Sequence, residues 1–351
     1  MPNTNDDLVQ NGILETPSPG FTIEQVKELA SNLYGLAGSL FPLASERDQN
    51  FRISTETGDQ YVIKIANSAE DPAIIDMQLK ALDHIALVDP TLPVPEVLVS
   101  RSGRAIEQVQ AENGASHGIR LLTYLSGAPP EDHPTNPALH RPMGEGLAKL
   151  VLALRGFFHP MANYELLWDL KHTSKLRPYL AHIRAANHRE LASYFLDRFD
   201  GHVLPLIPKL RAQVAHNDFV PDNILVAEND PGRIVGIIDF GDMVHTPLVN
   251  DLATTIAPLL LEQPDPLGVA AEVVASYHEL VPLEEAELRV LYDLIAARLV
   301  MLNVIASWRV TNHAYNRDYI LGGVDETWSI LEAWRALDPA DVTKRFFRDC
   351  G

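Results

Sequence analysis

Between His216 and Asp242 the chain reads HNDFVPDNILVAENDPGRIVGIIDFGD, and no other stretch restricts its fold as tightly. Asp218, Asn223 and Asp239 place three oxygen-bearing side chains along a short span. The runs Asn223–Ala227 and 234–238 are rich in Ile and Val and bounded by turn residues, which predicts a hairpin. A hairpin carries Asn223 and Asp239 to the same end of the strand pair, where a single ion can take both. Amide and carboxylate oxygens are the hard ligands that Mg²⁺ prefers. A further carboxylate, Asp218, suits the task of orienting an acceptor hydroxyl in phosphoryl transfer from a nucleotide.

The skeleton His-x-Asp, then Asn, then Asp-Phe-Gly resembles the protein-kinase signature, with Asn217 in place of Arg and a much shorter gap between the halves. This variant resembles the aminoglycoside-phosphotransferase, or small-molecule kinase, superfamily. Within it, Gly-Ile-Ile-Asp-Phe-Gly-Asp-Met at 236–243 and Trp168-Asp169-Leu170 resemble the hydroxylysine-kinase-like branch. The likeness spans residues 22 to 335. It implies an α+β, bilobal protein-kinase-like fold with an antiparallel five-stranded N-lobe and a mainly helical C-lobe. It also implies Mg²⁺ as cofactor and ATP or GTP as phosphoryl donor. Under it Asp218 is the catalytic carboxylate, and Asn223 and Asp239 are the metal ligands. His216 and Asp251 brace the loop; for Asp251 a helix N-cap is the plainer role.

Residues 1–20 lack periodicity and end in Pro-Ser-Pro-Gly, which predicts a flexible tail. Thr22 and Gln25 have capping-box spacing ahead of a helix over 22–35. Strands follow at 40–44, 50–55 and 60–66. The turn from Ser45 to Gln49 is a candidate phosphate cover through its backbone N–H groups, although without the downstream motif an ordinary hairpin is the plainer reading. Lys64 shares a strand face with Val62 and Ala66, and its place on the third strand before a helix matches the phosphate-gripping Lys of kinases. That helix opens at Asp71-Pro72. Gln78 stands where the kinase pattern has a Lys-pairing Glu, so a weaker Gln–Lys hydrogen bond is the expected clamp. Strands over 96–100, 104–110 and 119–125 lead to Ser-Gly-Ala-Pro-Pro at 126–130, which reads as a linker. The N-lobe is thus 21–125, the C-lobe 126–351 and the hinge 122–130, with the nucleotide base at the backbone of Leu122 to Tyr124, as the resemblance implies. Beyond the hinge, helices are expected over 143–157, 174–186, 188–199 and 202–212.

Acidic residues outnumber basic ones, 47 to 28, and a net charge of −19 argues against nucleic acid as a partner. The lone cysteine, Cys350, excludes an intrachain disulfide. The polar, acidic start lacks the pattern of a signal peptide. The apolar run 288–308 is broken by Asp293, Arg298 and Asn303, so a buried helix is expected there and no membrane span. Cytoplasmic localisation is the expectation.

Arg298 and Arg309 lie about three turns apart at ~3.6 residues per turn and so share a helix face. A buried Arg needs an anionic partner. An acid such as Asp251 is the favoured one, and the carboxylate of an amino-acid acceptor is the other. Trp168, Trp308, His313, Asn316 and Tyr319 are further candidate acceptor contacts. The acceptor expected is a small amino-alcohol or hydroxy-amino acid, 5-hydroxylysine foremost. An aminoglycoside, homoserine or choline-type kinase is the alternative, and a pseudokinase binding module the non-enzymatic one.

Overall fold

The computed structural model describes residues 16–45, 47–130, 136–312 and 324–351. Its contacts divide the chain into two units. One comprises Met1–Ser126, Phe157–Tyr164 and Gly236–Gly241; the other comprises Gly127–Gly156, Glu165–Val235 and Asp242–Gly351.

Alternation of apolar and polar residues builds the first unit. Strands β1 (Gly38–Leu43), β2 (Gln49–Thr55), β3 (Gln60–Ile65), β4 (Val97–Leu98), β5 (Glu107–Gln110) and β6 (Ser116–Thr123) form one sheet, and every pairing in it is antiparallel. The resemblance implies five strands; the sequence runs mark six, and the sheet has six. It is still five strands wide, because β4 pairs with Leu121 and Leu122 while β5 pairs with β6 from Ser116 to Ile119, end to end along one edge. A turn in which Gly103 N–H bonds Ser100 C=O separates the two.

On one face of this sheet Phe51, Ile53, Ile63, Ile65, Ile119 and Leu121 pack against Phe21, Val26 and Ala30 of the first helical segment. Each such side chain contributes about 1.5–3 kcal/mol through burial. The helix α1 (Ile23–Leu29) starts on the expected capping box, with Thr22 and Gln25 bonding each other's backbone N–H. Lys64 is on the opposite strand face, two residues from Val62, which pairs with Arg52 and Leu122. The helix α2 (Pro72–Val88) is capped by Asp71, whose carboxylate accepts from Ala73 N–H at 2.8 Å.

The tail expected to be flexible as far as residue 20 is anchored from Thr16 onward. Asn67 Nδ2 donates to the carbonyls of Thr16 and Pro17, and Ser18 Oγ donates to that of Asp48. Gln49 then bonds both backbone groups of Phe21. Two amide side chains thus satisfy backbone that has no ladder of its own. Residues 1–15 lie outside the described residues.

The second unit is mainly helical, with α3 (His140–Ala153), α4 (Ala186–Arg198), α5 (Leu248–Leu259), α6 (Pro266–His278), α7 (Glu285–Asn312), α8 (Val324–Arg335) and α9 (Pro339–Cys350). Two short ladders accompany them. One pairs β7 (Ala212–Ala215) with β10 (Val244–Pro247); the other pairs β8 (Ile224–Ala227) with β9 (Asp230–Ile237), the predicted hairpin. The helix expected over 202–212 is instead a short 3₁₀ turn, Ile207–Lys209, followed by β7. Pro205 and Pro208 lack the N–H groups a continuous helix there requires. Pro178 likewise falls in a segment, Leu170–His182, that winds as 3₁₀ helix. At Gly144 α3 comes so close to α6 that any Cβ would overlap Ser276 and the carbonyl of Val273.

By length and composition α7 is apolar enough to cross a membrane. Here Leu294, Ile295, Leu299, Val300, Met301 and Val304 are all buried within the unit, as in a core helix covered on every side.

Candidate active site

The loop after β7 begins with two buried residues, His216 and Asn217. Asn217 has φ 62°, in the left-handed region where asparagine is one of the few tolerated side chains. Three neighbours hold it there. Asp251, in the first turn of α5, accepts the N–H of His216 on Oδ2 at 3.2 Å and that of Asn217 on Oδ1 at 3.0 Å. Asn217 Nδ2 donates to the carbonyl of Trp168 at 3.4 Å. The Asp218 N–H donates to His216 Nδ1 at 3.3 Å. Burial pushes the Asp251 carboxyl up to about 7, the two backbone donors and Arg298 opposing and Asp218 adding to the rise. Asn217→Ala is expected to destabilise the protein by about 1–2 kcal/mol in urea unfolding, because a Cβ without a polar tip carries the full left-handed penalty. An Ala variant as stable as the parent would contradict this account of the loop.

The Asp218 carboxylate emerges from the braced loop, 28% of the side chain exposed. Asn223 Nδ2 donates to its Oδ2 at 2.7 Å and to its backbone carbonyl at 2.9 Å. Both amide hydrogens are thereby used, and the Asn223 oxygen is the end left for a cation.

Arg298 of α7 donates from Nη2 to Asp218 Oδ1 at 3.2 Å. The expectation that Asp251 is its ion-pair partner is therefore corrected. Asp251 directs both its oxygens at backbone N–H groups, and Asp218 is the acid within reach. Trp168, a candidate acceptor contact from sequence, lies with its ring centroid 5.3 Å from the Arg298 guanidinium carbon. Burial pulls the Arg298 pKa down, opposed by the charges of Asp218, Asp242 and Asp251. Arg309 is half-buried farther along α7, while His313, Asn316 and Tyr319 lie outside the described residues.

The first unit holds the other group. Lys64 Nζ lies 3.6 Å from Asp239 Oδ1. Asp239 has φ 57°, a second left-handed residue in the motif, and accepts the N–H of Gly241 at 3.3 Å. The expected Gln78–Lys64 bond is not formed: Gln78 Nε2 donates to the Gly241 carbonyl at 3.4 Å, and the Lys64 ion pair is with Asp239. Asp76, an acid on the same helix, is engaged by Lys80 and His159. Gln78 of α2 thus holds the Asp-Phe-Gly turn where it was expected to hold the lysine. Leu122 lies within β6, opposite Val62 and Val97, and the Tyr124 N–H bonds Gln60 C=O at 3.2 Å, which removes that donor from the set expected to read a base. Ser45 is exposed, and Glu46 in the same turn lies outside the described residues.

Among the described residues, no three His, Cys, Asp or Glu side chains converge as a metal cage. Each unit has one hard oxygen donor of the predicted pair, the Asp239 carboxylate in the first, its side chain 55% exposed, and the Asn223 amide in the second. Oxygen donors of this kind suit Mg²⁺, which is ordinarily held by one or two carboxylates together with water and substrate phosphates.

The model of the phosphotransferase enzyme family (APH) matches residues 40–291. Hydroxylysine kinase of Danio rerio is 30% identical over 342 residues, covering 94% of this chain and 96% of the relative. A microcompartment-associated aminopropanol kinase superposes with TM-score 0.71 at 18% identity, covering 94% of this chain and 99% of that one. The amicoumacin kinase hAmiN, solved with AMP-PNP, Ca²⁺ and its antibiotic, gives TM-score 0.70 at 14% identity, covering 92% and 97%.

Proposed function

The chain belongs to the phosphotransferase enzyme family, a small-molecule kinase family, and from that premise we propose that it transfers the γ-phosphoryl group of ATP or GTP to a hydroxyl of a hydroxy-amino acid or small amino-alcohol, with 5-hydroxylysine the favoured acceptor. One observation carries the proposal: a partly exposed Asp218 carboxylate is fixed by Asn223 and Arg298 on a loop that Asp251 braces from behind. The resemblance to hydroxylysine kinase along nearly the whole chain supports the choice of acceptor.

The proposed reaction uses few groups. The acceptor oxygen attacks the γ-phosphorus, the bond to the β,γ-bridging oxygen breaks, and the nucleoside diphosphate leaves with that electron pair. Asp218 orients the hydroxyl and takes its proton. In a loose transition state little charge builds on the acceptor oxygen, so alignment matters more than base strength. Lys64 supplies a fixed positive charge for the phosphates, and Asp239 keeps its ammonium in place. Asn223 and Asp239 would hold Mg²⁺, which when bound neutralises charge on the phosphate oxygens. Asn217 and His216 set the backbone from which Asp218 projects.

A coupled assay over hydroxylated amines, hydroxy-amino acids and aminoglycosides, run with ATP and with GTP, tests this reading. Transfer to 5-hydroxylysine with the highest kcat/KM is expected, abolished by a chelator and restored by Mg²⁺. Transfer to aminoglycosides alone would overturn the acceptor, and no transfer to any acceptor would overturn the activity.

A further inference from the structure

We infer that Arg298 is the residue by which this site selects an acceptor bearing a carboxylate, held beside Asp218 by the same guanidinium. The inference rests on the proposed reaction and adds to it a specificity determinant and a chemical class, the zwitterionic hydroxy-amino acid.

Arg298 is 5% exposed. A guanidinium carries five N–H donors, and an unmet buried donor is unfavourable. Nη2 reaches Asp218 Oδ1 at 3.2 Å, Nη1 faces only the Met301 sulfur at 3.9 Å, and Nε is buried with no hydrogen-bond partner among the described residues. A thioether is a weak acceptor, so most of the cation's bonding capacity is unused.

Two other arginines of this unit show what a saturated structural pair looks like here. Arg198 sets Nε at 2.6 Å and Nη2 at 3.2 Å against the two oxygens of Asp293. Arg211 does the same to Glu287, with Nε at 2.9 Å and Nη2 at 2.5 Å. In each, both teeth of the Nε–Nη2 edge meet one carboxylate, the favoured fork geometry. At Arg298 Asp218 takes a single tooth of that edge and leaves its neighbour open. Arg120, as deeply buried, also pairs through Nη2 alone, with Asp48 at 3.1 Å, so what distinguishes Arg298 is that its single tooth meets the partly exposed Asp218.

The open tooth calls for an oxygen, and a carboxylate is the oxygen group whose charge matches. The indole of Trp168 lies over the guanidinium at 5.3 Å and limits its hydration, which strengthens a charged hydrogen bond. Three acids surround the arginine electrostatically, Asp218, Asp242 and Asp251. A free anion would meet net negative charge there. A zwitterion answers both signs, its carboxylate on Arg298 and its ammonium towards the acids. With one guanidinium gripping the acceptor's carboxylate and the Asp218 oxygen together, the acceptor hydroxyl is registered against Asp218.

The test is a matched pair of acceptors, 5-hydroxylysine and its decarboxylated diamine, assayed on the wild type, Arg298→Gln and Arg298→Lys. The wild type should favour the acid by roughly 100-fold in kcat/KM, the scale of losing charged hydrogen bonds in a site built for them. Arg298→Gln should lose at least about tenfold more on the acid than on the diamine, and Arg298→Lys, which keeps the charge without the fork, should fall between. Equal losses on both acceptors would make Arg298 a structural prop and overturn the inference, while leaving the proposed kinase activity intact. A wild type that favours the diamine overturns it without any variant, so misfolding of a variant does not shield it. If neither acceptor is phosphorylated, the activity reading fails. Calorimetric binding of 5-hydroxylysine to the wild type then decides the inference: binding tighter than that of the diamine supports it, and equal or absent binding overturns it.

Discussion

Asp218→Asn is expected to lower kcat by about 10²–10⁴, the range for loss of a positioned proton acceptor. In free energy that is about 3–5 kcal/mol of transition-state stabilisation. The KM for nucleotide should move little, because Asp218 is proposed to act on the acceptor. Stability also changes, since the new amide can accept from Arg298 through its oxygen only by turning its NH₂ towards the NH₂ of Asn223. A loss of about 1–3 kcal/mol is expected from that unmatched pair. Rates must therefore be measured where a thermal melt shows the variant folded. A folded Asp218→Asn enzyme that keeps more than about a tenth of its rate would remove Asp218 from the chemistry.

Asp251 should govern stability more than any other residue of the loop. Asp251→Ala strands two buried backbone N–H groups, those of His216 and Asn217, at about 1–3 kcal/mol each. Its titration gives the sign of a pH effect. The carboxyl is ordinary near 3.8 when the chain is unfolded and about 7 when folded, so between those values the folded chain keeps a proton that the unfolded chain has released. The contribution is fully present below about pH 4 and is lost as pH rises through about 7, on the order of 4 kcal/mol. Urea unfolding of the wild type and of Asp251→Asn across this range isolates the group. Wild-type stability should fall relative to the variant as pH rises. A constant difference between the two would mean that Asp251 stays ionised in the folded protein.

Much of the architecture is legible in short spacings. Thr22 with Gln25 marks a helix start, Asp71-Pro72 another, and alternating Ile and Val mark β8 and β9, because capping and strand alternation are local rules that act within a few residues. The family was legible for the same reason: His216, Asp218, Asn223 and Asp239 stand in one short span, and their order alone identifies the kinase-type loop. Beyond that range the reading thinned. The strands at 96–100 and 104–110 are visible as two runs, but that they share one edge of β6 is not, and the anchoring of residues 16–18 depends on Asn67 and Ser18 meeting backbone far along the chain.

Residue types and their spacing determined which groups are proposed to carry this protein's chemistry: a carboxylate, an amide, a second carboxylate and a lysine. Only folding decided their partners. Arg298 is 80 residues from Asp218, and nothing local distinguishes that acid from Asp251 as its mate. The structure puts an oxygen of Asp218 within hydrogen-bond reach of Arg298, while the oxygens of Asp251 face the backbone N–H groups of the loop. In the same way Lys64 found Asp239, and Gln78 was turned to the Gly241 carbonyl. Hydrogen-bond capacity is finite and pairing is settled by proximity in three dimensions, so such assignments belong to the tertiary structure.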